Sequence, residues 1–482
     1  MIKFSVLIPL FFFLQSANAQ SISLEGDSAR VQASTKYSDP SFFRRFFMGK
    51  NYRKEWQTLV QLPIFKIKEM GFTPTELGGG MQTKSLRMSD AKGKEWVLRT
   101  VDKNVEPNLP PKLRNTLAEK IVQDMISAAH PYAPLTIPPM ADAIGLLVAS
   151  PVFYAIPDDP NLGKYRSIFA NTICMLEERE PGHLGKETKS TEEVLEKLKD
   201  ENDHLVMQQQ VLKARLMDML IGDWDRHADQ WRWGKEDSGK LEHYYAIPRD
   251  RDQAYFYSKG LLLKLVKLFS LKHMVSYDDD LDKLKSLSWK SWGFDGVFLN
   301  ELDRNDWEKE IVHIQQKLSD DLLSDAFKKL PPEVYVISGK KLEQKFKGRR
   351  DDLMHAGLKY YKFLSHRVTI NGTDKKEIFQ IKSDQKKLTV SIYDDKDGKQ
   401  GIKLYERNFD HADTKFIDIN GMGNNDQFII DEDASSKIKL IIKGGAGADV
   451  YDLNGKVRNT VHDDKSDGNK VLNTSNSKLR IM

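Results

Sequence analysis

An apolar run from Phe4 to Leu14 follows Met1-Ile-Lys3 and precedes Ala17-Asn-Ala19. A short apolar segment ending in a small-x-small pattern marks a removable signal peptide, with cleavage before Gln20. The alternative, a retained anchor, would have ~11 apolar residues, too few to cross a bilayer. Residues 20 to 65 are polar with aromatic punctuation at Phe42, Phe43, Phe46, Phe47 and Trp56, as in an N-terminal arm lying on the next domain. Between 66 and 182 the pattern changes. Gly78-Gly-Gly80 leads into Lys84-Ser-Leu-Arg-Met88, a turn at Asp90-Ala-Lys-Gly93, and Glu95-Trp-Val-Leu-Arg-Thr-Val101, a glycine-rich bend feeding a β-hairpin of alternating polarity.

Pro110-Pro111 stops that extended segment, and Asn115 or Thr116 caps a predicted helix through Glu119, Ile121, Met125, Ile126 and Ala129, ending near His130-Pro131. Ile173 to Glu178 is expected as a strand. In the next region, 183 to 366, one long amphipathic helix is expected from Glu192 to about Gly222, and residues 260 to 365 are mainly helical. From 367 to 482 the chain reverts to short strands with Gly, Asn and Asp turns, so a boundary falls near Arg367. The predicted fold is α+β: a two-lobed core followed by a small all-β domain, either a sandwich or solenoid-like.

Composition narrows the partners. The 74 basic and 70 acidic side chains nearly cancel, leaving no global field that favours nucleic acid or membrane. Cys174 is the only cysteine, so no internal disulfide is available and stability must come from core burial. About 460 residues remain after signal cleavage, ample for that, with no transmembrane segment expected among them.

The densest chemistry lies in Leu220-Ile-Gly-Asp-Trp-Asp-Arg-His-Ala-Asp-Gln230 and Ala246-Ile-Pro-Arg-Asp-Arg-Asp-Gln-Ala-Tyr255. Two acidic clusters, each behind an apolar or aromatic run, often encode metal-assisted phosphoryl transfer. Such chemistry needs a glycine turn that lets backbone N–H groups approach phosphate, a base on the following sheet, and a helix-borne acid to hold that base. Gly78, Gly79 and Gly80 supply the turn, Arg99 or Lys84 the base, and Glu119 the acid. In the second lobe Asp225 fits the residue that orients the accepting hydroxyl. Asp250 fits the Mg²⁺ ligand, with Gln230 and Asp252 as further ligands.

Asp225-Arg-His227 with Gln230 five positions after the Asp, then Ile247-Pro-Arg-Asp-Arg-Asp252, resembles the catalytic and metal loops of atypical kinases. The closest patterns are those of the CotH spore-coat kinases and the secretory-pathway casein kinases, with HipA-type and phosphoinositide kinases more distant. The resemblance covers roughly residues 70 to 365 and implies a two-lobed kinase-like fold, ATP and Mg²⁺. Arg99 stands where Lys is usual, and Gln230 where Asn or Glu is usual. Gly78 to Arg87, Gly222 to His227 and Pro248 to Gln253 also resemble the middle of large bacterial envelope proteins, which carry an upstream metallophosphoesterase domain and a downstream surface-antigen outer-membrane barrel. That likeness implies export to the periplasm or outer-membrane surface of a Gram-negative bacterium, with a barrel protein as a partner.

The expected reaction is transfer of the ATP γ-phosphoryl group to a hydroxyl on an unidentified protein or small molecule. ATP is scarce outside the cytoplasm, so an inactive pseudokinase-type binding module is the alternative. A metallophosphoesterase is a weaker reading, because Gly222-Asp-x-x-Asp-Arg226 matches only one of its motifs. The clusters also read as solvated salt bridges capping a helix, and His227 as a hydrogen-bonding support for the loop. Gly444-Gly-Ala-Gly-Ala-Asp-Val-Tyr-Asp452 matches a calcium-repeat pattern, with Asn420 to Phe428 a looser copy and Asn371-Gly-Thr-Asp374 a degenerate one. Rungs of about two dozen residues follow, with Ca²⁺ at Asp426 or Asp449 a further expectation.

Overall fold

The alternating polarity of residues 73 to 100 folds as three antiparallel strands, Thr73–Gly78, Ser85–Ser89 and Glu95–Thr100, and two more, Thr172–Glu178 and Val152–Ile156, complete the sheet. The computed structural model describes residues 23–37, 41–78, 83–181, 187–269, 271–384, 387–464 and 467–481. The signal segment and Gly79 and Gly80 of the glycine turn lie outside them. Leu86, Leu98 and Leu176 stand opposite one another across the sheet and are buried with Phe65, Phe169 and Cys174. The turn after Ser89 is closed by Asp90, whose Oδ1 accepts the N–H groups of Lys92 and Lys94, both at 2.9 Å. Of the two candidate caps, Thr116 takes the role: its Oγ1 accepts the Ala118 N–H at 3.2 Å, opening the helix Leu117–Met125.

The helix expected from Glu192 to Gly222 is two helices, Thr191–Asp200 and Gln208–Ile221, separated by the strand His204–Val206. A capping box between Ser190 and Glu193 starts the first. The interruption arises because His204, Leu205 and Val206 find parallel partners in Glu242, His243 and Tyr244, and tertiary pairing overrides local helical propensity. Gln208–Ile221 is buried on nearly all sides rather than amphipathic, as befits a central helix. Around it pack Arg304–Lys317 and Lys340–Ser365, with Asp320–Phe327 against the latter.

The N-terminal arm ties the sheet lobe to the helical lobe. Trp56 is buried and donates its indole N–H to the Ala129 carbonyl at 2.9 Å, while the Tyr52 hydroxyl reaches the Tyr255 carbonyl at 2.6 Å. Arg53 and Asp124 form a buried bidentate pair at 2.9 and 2.5 Å. Losing Asp124 would leave the buried Arg53 charge uncompensated, a cost of about 3–5 kcal/mol.

Beyond Ser365 the chain winds between two sheets. One is parallel throughout, with strands Arg367–Asn371, Phe416–Gly423, Ser435–Ala446, Lys456–Asp463 and Ser477–Ile481 in that order. The other adds Glu377–Asp384, Gln427–Ile430, Val450–Leu453 and Lys470–Thr474 in parallel, and carries Lys387–Lys396 and Lys399–Asp410 as an antiparallel hairpin at its edge. Of the two all-β forms expected, the winding is solenoid-like. Phe379, Phe428 and Tyr451 stack from rung to rung, with centroids 4.7 and 5.3 Å apart. The domain is fastened to the helical lobe by Arg304 on Asp413, at 2.9 and 3.0 Å, and by Arg407, which donates to the Asn300 carbonyl at 2.6 Å and to Ser365 at 2.8 Å. The α+β expectation, with a two-part core followed by a strand-rich region, therefore holds.

Candidate active site between the two lobes

The two acidic clusters meet because a hairpin joins them. Trp231–Ser238 pairs antiparallel with Leu241–Pro248, and its first pair sets Trp231 opposite Pro248. Residues just outside that pair are neighbours, and the Arg249 N–H donates to the Gln230 carbonyl at 2.9 Å. Buried Trp231 and Trp233 stack on Phe294 and Phe298 beneath the hairpin, making it a rigid mount.

The loops are held from inside by Asp218, on the central helix. Its carboxylate accepts from Arg251 Nε at 3.0 Å, Arg215 Nη1 at 3.2 Å and Arg226 Nη2 at 3.3 Å. Burial alone would raise its pKa, but the three guanidinium groups hold it below the ordinary carboxylate value. Arg226 also donates to Asp223 at 3.0 Å and to the backbone carbonyls of Arg249 and Gln230, so one side chain staples both clusters. Asp223 is fully enclosed, and burial, with the Asp218 and Asp225 charges, pushes it up to about 7 against the pull of Arg226. Its Oδ1 accepts the Asp225 N–H at 3.1 Å and orients that residue.

Across the cleft, Arg99 on the strand Glu95–Thr100 reaches Asp250 at 3.2 Å and Glu177 at 3.5 Å. Glu177 lies two positions along from Met175, which faces Arg99 in the register, so the two charges share one face of the sheet. Lys103, four residues after Arg99, is buried and bonds Asp252. Asp250 has φ 54°, a left-handed conformation that Asp tolerates better than most residues and that turns the following chain back into the lobe. Burial opposes its charge, yet Arg99, Lys103 and Arg226 hold it below the usual carboxylate range. Asp252 is shifted upward by burial and by the neighbouring Asp250. Asp225 is capped by Lys290, from the helical lobe, which also lies over the Trp224 ring at 5.1 Å.

No protein-family model matches the chain, and no curated protein matches it. Solved structures similar to it include the proinflammatory kinase CtkA of Helicobacter pylori, at 12% identity and TM-score 0.34, over 62% of this chain and 99% of that one. HipA of Shewanella oneidensis is similar at 11% identity and TM-score 0.29, over 61% and 70% of the two chains. The Rio2 kinase of Chaetomium thermophilum is similar at 12% and 0.24, over 60% and 72%. These likenesses in shape are distant and add nothing to the geometry.

Several expected residues do not sit as the spacing implied. Glu119 is not the acid that holds Arg99: its carboxylate accepts the Asn115 N–H at 2.5 Å, capping its own helix, and Glu177 takes the role from the neighbouring strand. Lys84 stands exposed on the sheet, its backbone N–H on Thr100 Oγ1 at 3.2 Å, while the buried lysine of the cleft is Lys103. Gly78 ends its strand against Ser85 at the approach to the glycine turn. His227 faces the exposed Asp229 at 3.5 Å and does not support the loop, which Arg226 does. Asp218, Lys103 and Lys290 escaped the sequence reading. The signal for Asp218 was a lone carboxylate inside the apolar run Leu216-Met-Asp-Met-Leu-Ile221.

Among the described residues no three His, Cys, Asp or Glu side chains converge as a metal site, so a two-metal hydrolase lacks its ligand set. A cation shared with phosphate oxygens needs fewer protein ligands. Gln230 fits it: its amide oxygen is buried without a hydrogen-bond partner, one backbone bond from the loop that carries Asp250. In the β domain, the two aspartates expected to take Ca²⁺ each use one oxygen within the protein, and the other, Oδ2, is buried without a hydrogen-bond partner. Asp449 Oδ1 accepts the Asp426 N–H at 2.8 Å and Asp426 Oδ1 the Glu377 N–H at 2.9 Å, so these side chains link rung to rung.

Proposed function

We propose that the chain is an exported kinase-like phosphotransferase that moves the γ-phosphoryl group of ATP to a hydroxyl acceptor. The observation that carries the reading is the set of opposed charges across one cleft, Arg99 and Lys103 on the sheet side and Asp250 and Asp252 on the other. Asp225 and the buried Gln230 amide lie on the loop joined to it. Arg99 and Lys103 are placed to bind phosphate oxygens, and Asp250 and Gln230 would hold Mg²⁺, with Asp252 as a further ligand. The cation would neutralise charge on the phosphates. Asp225 would orient the acceptor hydroxyl and take its proton, once Lys290 moves off it.

A specific feature favours the second reading, an inactive pseudokinase-type envelope module. The space lined by Met175, Glu177, Pro248 and Asp250 is about 50 Å³, far below the ~300 Å³ or more of ordinary ligand pockets. Nucleotide entry therefore requires the interlobe ion pairs to open, with phosphate replacing the carboxylates as partner of Arg99 and Lys103. Calorimetric titration of ATP with Mg²⁺, run beside Asp250→Ala and Asp225→Ala, separates the readings. An active kinase gives metal-dependent binding that Asp250→Ala removes, and phosphotransfer that Asp225→Ala removes while binding stays. No binding by the native chain would sink the nucleotide mechanism.

A further inference from the structure

The aromatic arm that ties the lobes together also carries a segment that faces away from them. The helix Phe42–Met48, capped by Ser41, buries none of its residues. Phe42, Phe43, Phe46 and Phe47 are 77, 73, 55 and 48% exposed and meet in edge contacts at 5.8 and 5.3 Å. Four exposed phenylalanines on two turns cannot be explained by chain folding, since each forgoes the gain of leaving water.

A second helix, Leu261–Phe269, packs beside the first and is itself rich in leucine, with Leu265 exposed. Their approach is close enough that a side chain at Gly260 would collide with the backbone of Phe47 and Met48. The patch is therefore built from two distant stretches of sequence held in one place. Its anchorage is firm: Arg44 is held from behind by the buried Asp124 at 2.5 Å.

Charge decides what covers it. Residues 41 to 50 contain Arg44, Arg45 and Lys50, and residues 259 to 272 contain Lys259, Lys264, Lys267 and Lys272, with no Asp or Glu in either stretch; two of the seven, Arg44 and Lys259, are paired within the protein with Asp124 and Asp278. In a chain of 74 basic and 70 acidic residues, such one-signed segments are a local departure. Phenylalanine and leucine interleaved with Arg and Lys on short helices is the chemistry of an interfacial anchor: rings enter the headgroup boundary while cations meet lipid phosphate. We infer that this two-helix patch docks the protein on the surface of an anionic lipid bilayer. Among the described residues no helix is long and apolar enough to cross one, so the contact is with the surface.

The test is flotation of the exported chain, from Gln20 on, with vesicles of equal parts phosphatidylcholine and phosphatidylglycerol, beside vesicles of phosphatidylcholine alone. The native chain should float with the anionic vesicles and bind less as salt rises. A Phe42→Ser, Phe43→Ser, Phe46→Ser variant should bind at least about tenfold more weakly, with an unchanged melting temperature because none of the three is buried. Lys50→Gln and Lys264→Gln should each cost about fivefold on anionic vesicles and little on neutral ones. Equal flotation by native and triple-variant chains, or none by either, would overturn the assignment. So would a native dimer that the triple variant loses in sedimentation without any lipid binding, which would give the patch to a second copy of the chain.

Discussion

The cleft and the β domain both bury carboxylates, and they do it in opposite ways. In the core every enclosed acid of the two loops faces a cation: Asp218 has Arg215, Arg226 and Arg251, Asp250 has Arg99, and Asp252 has Lys103. In the β domain Glu377, Asp426 and Asp449 recur at the same place on successive rungs and accept backbone or hydroxyl donors instead, Thr373 serving Glu377 at 2.6 and 2.9 Å. Burial pushes Asp426 up to about 10 and Glu377 and Asp449 each to about 7. Asp218 and Asp250 are held ionised by their cations, whereas Asp223 and Asp252 are shifted upward by burial and a neighbouring carboxylate despite theirs. The β-domain acids, with no cation beside them, are pushed toward the neutral form and hold one rung to the next through backbone N–H groups.

The contrast breaks most severely at Asp218. Asp218→Ala takes a carboxylate from three buried guanidinium groups and leaves Arg251 with none, and the chain should lose about 3–5 kcal/mol in chemical denaturation, with loss of the proposed nucleotide binding as both loops come free. Asp218→Asn should fall between the native chain and Ala.

A pH series separates the two regions next. Acids whose folded pKa is raised stabilise fully below their unfolded value and lose that contribution as pH rises through the folded one. The β-domain transition should therefore weaken from about pH 4 to about 7 through Glu377 and Asp449, and on toward about 10 through Asp426. Asp218 and Asp250, with lowered pKa values, act in reverse and withdraw support only below about pH 4. Asp426→Asn keeps an acceptor for the Glu377 N–H and should flatten the alkaline part of the decline, read by calorimetry at about pH 6 and about pH 9. A native transition that strengthens toward alkali would refute the neutral form of these acids.

The smallest expected effect is at Glu119. Its replacement by Ala should cost only about 1 kcal/mol, the value of a helix cap, and leave ATP affinity unaltered. A large loss of affinity would restore Glu119 to the site in place of Glu177.

Motifs whose parts lie close in sequence were readable from the chain. Asp225 and Gln230 share one turn, Asp250 and Asp252 another, and a hairpin between them needs only local pairing to bring them together. The Gly-Asp periodicity of the last region likewise announced its rungs. The register refined the earliest copy: Glu377, rather than Asp374, stands five residues after its glycine, as Asp426 and Asp449 stand after Gly421 and Gly444. Those glycines are required because any side chain on Gly372, Gly421 or Gly444 would strike the adjacent carboxylate.

Amino-acid order alone determined the α+β class, the acidic loops and the repeat of the β domain, because periodicity, turn chemistry and short spacing act over a few residues. Tertiary structure decided which charges meet. Arg99 lies 151 residues from Asp250 and Lys103 lies 149 from Asp252, distances at which sequence carries no preference among the chain's many acids. The same holds for the partners of Asp218, for the break in the Glu192 helix, and for the aromatic patch assembled from residues 41 to 50 and 259 to 272. In each case the choice was made by which surfaces the core had to bury and which backbone groups still needed partners.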